Sequence, residues 1–169
     1  MITAGIELIR SDITSLEADA IVNAANCSLR GGSGIDGTIH RAAGPHLLQE
    51  CITIGGCPTG EARITGGYNL KARYIIHTVG PVWQDGNRNE GKLLASCYRK
   101  SLWLASAHNC GSIVFPNIST GVYGFPKEIA AGIAISEVKS FLFANKTLNK
   151  VLFCCFDPEN YSIYRNLLK

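Results

Sequence analysis

Short apolar runs alternate along the chain with longer stretches of helical period. The runs Ile6–Arg10, Ala20–Ala24, Ala62–Thr65, Tyr74–Val79, Ser112–Phe115 and Val151–Phe156 are apolar on both faces, which predicts short strands covered from two sides. The stretches Asp36–Cys51, Asn89–His108, Lys127–Ala144 and Glu159–Leu168 predict helices. Strands alternating with helices imply an α/β fold, a three-layer α/β/α sandwich around a central mixed sheet. No internal repeat, low-complexity tract or linker interrupts the pattern, and Trp83–Glu90 is the one long polar loop.

Composition narrows the class. With 169 residues, 46 % hydrophobic and 17 % charged, the chain suits one domain around one core. A net charge of +3, not gathered into any basic run, argues against a nucleic-acid binder and fits a small anionic ligand. Cysteines fall at 27, 51, 57, 97, 110, 154 and 155, seven in number and without a CxxC pair. That pattern reads as reduced thiols in a cytoplasmic protein, with Cys154 and Cys155 as small core residues. The four dispersed histidines show no metal-ligand spacing. The opening Met-Ile-Thr-Ala-Gly-Ile-Glu lacks a basic region followed by an apolar stretch, so no signal peptide is expected. No segment reaches the length of a membrane span.

Candidate chemistry concentrates in Asn23-Ala-Ala-Asn-Cys-Ser-Leu-Arg-Gly-Gly-Ser-Gly-Ile-Asp-Gly-Thr-Ile-His40. A glycine loop opening into a helix N-terminus is an anion site, because unpaired N–H groups and the helix dipole both point at the ligand. Asp36 stands at the mouth of that helix, where a carboxylate beside an anion site is costly unless it has a task there. A second loop, Pro116-Asn-Ile-Ser-Thr-Gly-Val-Tyr-Gly-Phe-Pro126, also leaves a strand and enters a helix. Ligands of open α/β sheets bind outside the carboxyl ends of the strands, so the two loops are placed to close over a diphosphate. Neither carries GxxxxGK[ST] or the GxGxxG spacing.

Asn23-Ala-Ala-Asn26, Gly31-Gly-Ser-Gly-Ile-Asp-Gly37 and His40-Arg-Ala-Ala-Gly44 together resemble the first signature of the macrodomain family, in its MacroD-type branch. His77-Thr-Val-Gly-Pro81, Phe115 to Pro126, Ser11-Asp-Ile-Thr14 and Phe156-Asp-Pro-Glu159 are similar to its other signatures, in order, over nearly the whole chain. Ser33 stands where the branch has a third consecutive glycine, and Ser11 where glycine precedes Asp-Ile-Thr; serine fits there only if the backbone avoids strongly positive φ.

The resemblance implies one macrodomain over residues 1–169 with an ADP-ribose pocket. It also implies hydrolysis of the ester joining ADP-ribose to an acidic side chain or to an acetyl group. On the matching positions, Asp12 would accept from the adenine amino group, Ile13 would line the base pocket and Phe156 would stack on the ring. Gly34, Ile35, Ser119, Gly121, Val122 and Tyr123 would hold the diphosphate, and Phe125 would border the distal ribose. Asn26 would orient that ribose, and Asp36 would polarise the attacking water. The implied partners are ADP-ribose, its esters and mono-ADP-ribosylated proteins, with no cofactor and no metal.

Plainer roles stand beside these. Asp36 is also where a helix N-cap is wanted. Asn23 is read as tying a strand end to a turn through its side chain, and His40 and His77 as buried and hydrogen-bonded. Gly66-Gly67 reads as a turn and Cys27 as a loop residue. Two functional readings remain, a hydrolase and a module that only binds ADP-ribose; they part at Asn26 and Asp36, which only the hydrolase needs. Single-stranded RNA or poly(ADP-ribose) binding ranks below both, since aromatics interleaved with clustered basic residues are missing.

Overall fold

Side chains alternate between two buried clusters along every central strand, and this alternation sets the architecture. The computed structural model describes residues 5–169; the first four, part of the N-terminal stretch read above, lie outside the described residues. Strands β1 (Ile6–Arg10), β2 (Ala20–Ala24), β3 (Ala62–Gly66), β4 (Tyr74–Thr78), β5 (Ser112–Phe115) and β6 (Lys150–Cys155) form one six-stranded sheet in the order β1-β6-β5-β2-β4-β3. All neighbouring pairs are parallel except β3 with β4, so the sheet is mixed.

On one face Ile76, Ile113, Phe115, Val151 and Phe153 meet the helices α3 (Glu90–Ala107), α4 (Lys127–Ala144) and α5 (Pro158–Leu167). On the other, Ile21, Ile75, Val114 and Cys154 meet α1 (Gly34–Ala43) and α2 (Pro45–Ile54). The three layers match the expectation. Complete burial of side chains such as Phe115 and Phe153 is worth about 1.5–3 kcal/mol each. Among the described residues no helix is long and apolar enough to cross a membrane.

The helix expected over Asp36–Cys51 is two helices. Gly44 ends α1 with φ 89°, and Pro45 opens α2, the residue pair that stops one helix and starts another. The apolar period runs straight across the break, because Ile39, Ala43, Leu47 and Cys51 all enter the same cluster. Ser33 is the N-cap of α1 with φ −93°, and the backbone at this serine therefore has no need of glycine.

The loop before α3 folds around one carboxylate. Glu90 Oε2 accepts from the N–H groups of Gln84, Asp85 and Gly86 at 3.0, 3.2 and 3.0 Å, and Oε1 from that of Arg88 at 2.6 Å. Burial alone would raise the pKa of this carboxyl, but the backbone donors outweigh it and hold the value near 2, against an ordinary 4.5. A pKa depressed in the folded state stabilises fully above the unfolded value and is lost as pH falls through the folded one. Glu90→Gln is therefore expected to lower the thermal midpoint at pH 7, with the gap to wild type closing between about pH 4.5 and 2. Melting curves at pH 7 and pH 3 test this; a gap that does not shrink in acid would contradict it.

Candidate active site

The parallel strands all point their carboxyl ends the same way, and a crevice of about 410 Å³ opens there. Its walls are the two glycine loops, and Phe156 and Asp157 close one end. The first loop leaves β2 as a continuation of the ladder, with Ala25 N–H bonded to Thr78 O at 2.9 Å. Buried Leu29 then pins the turn through its N–H to Asn26 O at 3.1 Å. The loop ends at Gly34 and Ile35, whose N–H groups are among those a helix N-terminus leaves without intrahelical partners.

Asp36 is not the cap of α1. It sits in the first turn, lines the crevice and is only 4 % exposed. Its Oδ1 accepts from Asn23 Nδ2 at 2.8 Å, and His40 Nε2 lies 3.6 Å from the same oxygen. Burial pushes the carboxyl up from its usual range, while the Asn23 bond and the nearby imidazole hold part of that rise back. With Oδ1 engaged, Oδ2 lies on the side of Gly32. A Cβ at Gly32 would stand 3.3 Å from both Asp36 Oδ2 and Asn26 Nδ2, so only glycine leaves the two groups open to one ligand.

Asn23 departs from its expected role. Instead of bonding backbone, its amide nitrogen bridges Asp36 and His77 Nδ1, the latter at 3.2 Å, and it is completely buried. The carboxylate fixes which end of the amide faces it, because the amide oxygen there would repel. His77 then accepts at Nδ1 and donates from Nε2 to Thr65 Oγ1 at 3.0 Å, and Thr65 Oγ1 donates to Gly66 O at 3.1 Å. Burial, with a smaller contribution from His40, pushes the His77 imidazole down to about 3. A neutral, three-residue support thus stands behind Asp36. No spacing in the sequence reveals it, since it depends on Asn23 and His77 being register partners across β2 and β4.

Asn26 lines the crevice with its amide held by its own loop. Nδ2 donates to Gly31 O at 2.9 Å, and Oδ1 accepts from Ser28 Oγ at 2.7 Å. In the second loop Ser119, Gly121, Val122 and Tyr123 all line the wall. Ser119 adopts φ 66° and its buried Oγ has no partner among the described residues. Val122 is 96 % exposed. Trp83 N–H bonds Tyr123 O at 2.8 Å, which ties this loop to the one folded around Glu90.

Phe125 is not brought to the crevice wall. It is 1 % exposed and packs on Trp83 with ring centroids 4.8 Å apart, while its N–H bonds Ser119 O at 2.9 Å. Its place is beneath the second loop, shaping it. Phe156, just beyond the end of β6, is 82 % exposed and lines the crevice. Ser11 N–H bonds Cys155 O at 3.3 Å, which brings the Asp12 turn to the end of β6 where Phe156 follows, although Asp12 does not line the crevice. The exposed Asp12 carboxylate caps a 3-10 turn, with Oδ1 accepting from Thr14 N at 2.9 Å and Thr14 Oγ1 at 2.7 Å. Ile13 is buried in the cluster beneath and does not line the crevice itself.

Residues 22–134 match the family model described as Macro domain. A Macro domain-containing protein of Chlorobaculum tepidum is 58 % identical over 163 residues, covering 96 % of this chain and 95 % of its own. An O-acetyl-ADP-ribose deacetylase of Klebsiella pneumoniae is 57 % identical over 166 residues, with coverage of 96 % and 95 %. Among solved structures, a Trypanosoma brucei macrodomain in complex with ADP-ribose superposes with a TM-score of 0.92 at 46 % identity, covering 98 % of this chain and 69 % of its own.

Proposed function

The chain belongs to the Macro domain family, and on that premise we propose that it is a hydrolase cleaving the ester that joins ADP-ribose to an acetyl group or to an acidic side chain of a protein. The observation that carries this reading is Asp36: a buried carboxylate with raised pKa, held by Asn23 at the floor of a crevice between two glycine loops. A module that only binds ADP-ribose gains nothing from burying a carboxylate there. The deacetylase relatives at 57 % identity support the same reaction class.

In this scheme the adenine stacks on Phe156, its amino group donates to Asp12, and Ile13 backs the base from beneath. The N–H groups of Gly34 and Ile35, with the loop Ser119–Tyr123, take the diphosphate, where glycines supply donors without bulk. Phe125 holds that second loop in shape. Asn26 orients the distal ribose. A water between Asp36 Oδ2 and the ligand phosphate attacks the acyl carbon while Asp36 accepts its proton. The bond from that carbon to the ribose oxygen then breaks, the ribose oxygen takes up a proton, and the carboxylic acid and free ADP-ribose separate.

Release of free ADP-ribose from O-acetyl-ADP-ribose and from a glutamate-modified protein tests the reaction. Tight ADP-ribose binding with no release from either substrate would make the chain a binding module. Asp12→Ala is expected to weaken ADP-ribose binding by about 1.5–3 kcal/mol, the scale of a hydrogen bond to a charged group, read by calorimetry. An unchanged dissociation constant would place the adenine elsewhere.

A further inference from the structure

Beneath Asp36, outside the crevice lining, the fold gathers three donors that lie far apart in the sequence. His40 of α1, Cys51 of α2 and His77 of β4 each present one atom, all within 4.8 Å of one another. Cys51 and His77 are buried, His40 is partly so, and the buried Nε2 of His40 has no hydrogen-bond partner among the described residues. Buried polar atoms are normally satisfied, and an exception calls for an explanation such as an ion. Two imidazoles and a thiol are a borderline-soft set that suits Zn²⁺ above Mg²⁺ or Ca²⁺.

We propose that His40, Cys51 and His77 bind one Zn²⁺ ion, with a solvent molecule in the fourth position; Asp36, whose Oδ1 lies 3.6 Å from His40 Nε2, stands next to this group and outside it. Zinc bonds of about 2.0–2.3 Å set ligand-to-ligand separations of roughly 3.3–3.8 Å, so atoms now within 4.8 Å of one another draw together by up to about 1.5 Å on binding. Binding is ligand exchange without redox. The Cys51 S–H bond breaks, its proton goes to solvent and a zinc–thiolate bond forms. His77 gives up Asn23 if it ligates through Nδ1, or Thr65 if through Nε2. Either exchange disrupts the hydrogen-bonded support behind Asp36 and slows turnover. That last consequence rests on the hydrolase reading; the binding site does not.

The test is titration of the metal-stripped chain, carrying Cys27→Ser to remove an exposed thiol, with ZnCl₂ and with CoCl₂ in thiol-free buffer. One equivalent is expected to bind, with visible bands of tetrahedral Co²⁺ and a thiolate-to-cobalt charge-transfer band. Cys51→Ala should abolish the charge-transfer band and weaken binding at least tenfold, with its metal-free melting curve showing a folded protein. His40→Asn, which keeps Cys51, should weaken binding similarly while retaining the band at saturating cobalt. Absence of stoichiometric binding, or binding unchanged in both variants, overturns the site. Zinc should also block ADP-ribose release by the parent chain and spare the Cys51→Ala variant. Binding without inhibition would overturn the coupling of the ion to Asp36 and leave the metal site standing. No release even without zinc would sink the hydrolase reading and leave the spectroscopic result to decide the site.

Discussion

Asp36→Ala is expected to lower turnover by roughly 10²–10⁴-fold, the range of general-base assistance, while ADP-ribose affinity stays close to wild type. In the proposed mechanism the carboxylate takes the water's proton and does not hold the ligand, whose diphosphate would be met by the backbone of the two loops that line the crevice. Asp36→Asn sharpens the result. An amide oxygen still accepts from Asn23 Nδ2 and leaves the support behind it intact, yet it cannot take a proton at working pH. Loss of turnover in both variants, at unchanged melting temperature and affinity, assigns Asp36 as the base. Retained turnover in either would mean that the water is activated by another group, and the mechanism above would fall.

The second large effect is steric. Gly37 follows Asp36 in α1, and a Cβ there would stand 2.3 Å from the carbonyl oxygen of Gly32 and 3.3 Å from its carbon. Those are backbone atoms of the first glycine loop, so the loop must move. Helix propensity alone would have alanine stabilise this position by about 0.5–1 kcal/mol; overpacking against backbone instead costs about 1–3 kcal/mol. The sign of the change therefore separates the two. Because Gly32 is the residue between Asn26 and Asp36, Gly37→Ala should reduce both ADP-ribose affinity and turnover at least tenfold. Gly132→Ala is the matched control: it is also helical and meets nothing within 4 Å, so it should stabilise by about 0.4–1 kcal/mol. Urea denaturation of the pair decides the matter, and a stabilised Gly37→Ala would show that the loop yields freely.

Where local patterning governs, residues and structure agree. Ala20–Ala24 and Ser112–Phe115 are the strands expected, because a short two-faced apolar run has few other uses. The break at Gly44 was masked, since the apolar positions keep their period through Pro45. The two loops were legible as candidate anion sites, because glycine and a following helix are local signals, and both line the crevice. What lies behind them was not. Asn23 could be read as a strand-end residue, but its bond to Asp36 needs α1 to fold back over β2, and its bond to His77 needs the β2–β4 register. Phe125 carries no mark in the sequence of whether its ring faces the ligand or the core. That is decided by Trp83, more than forty positions earlier in the chain.

The sheet order joins what the chain separates, since among the described residues β1 has β6 as its only neighbour. A strand made near the start of synthesis has no edge to join until the last strand is present, and pairings so distant in sequence are slow to form. The rim that brings the Asp12 turn to Phe156 depends on this late pairing, whereas Asp36 and its support need only β2, β3, β4 and the first helix. In the proposed scheme, an emerging chain thus assembles its reactive centre well before it can hold a nucleoside. Recovery of ADP-ribose affinity during refolding should mark completion of the sheet.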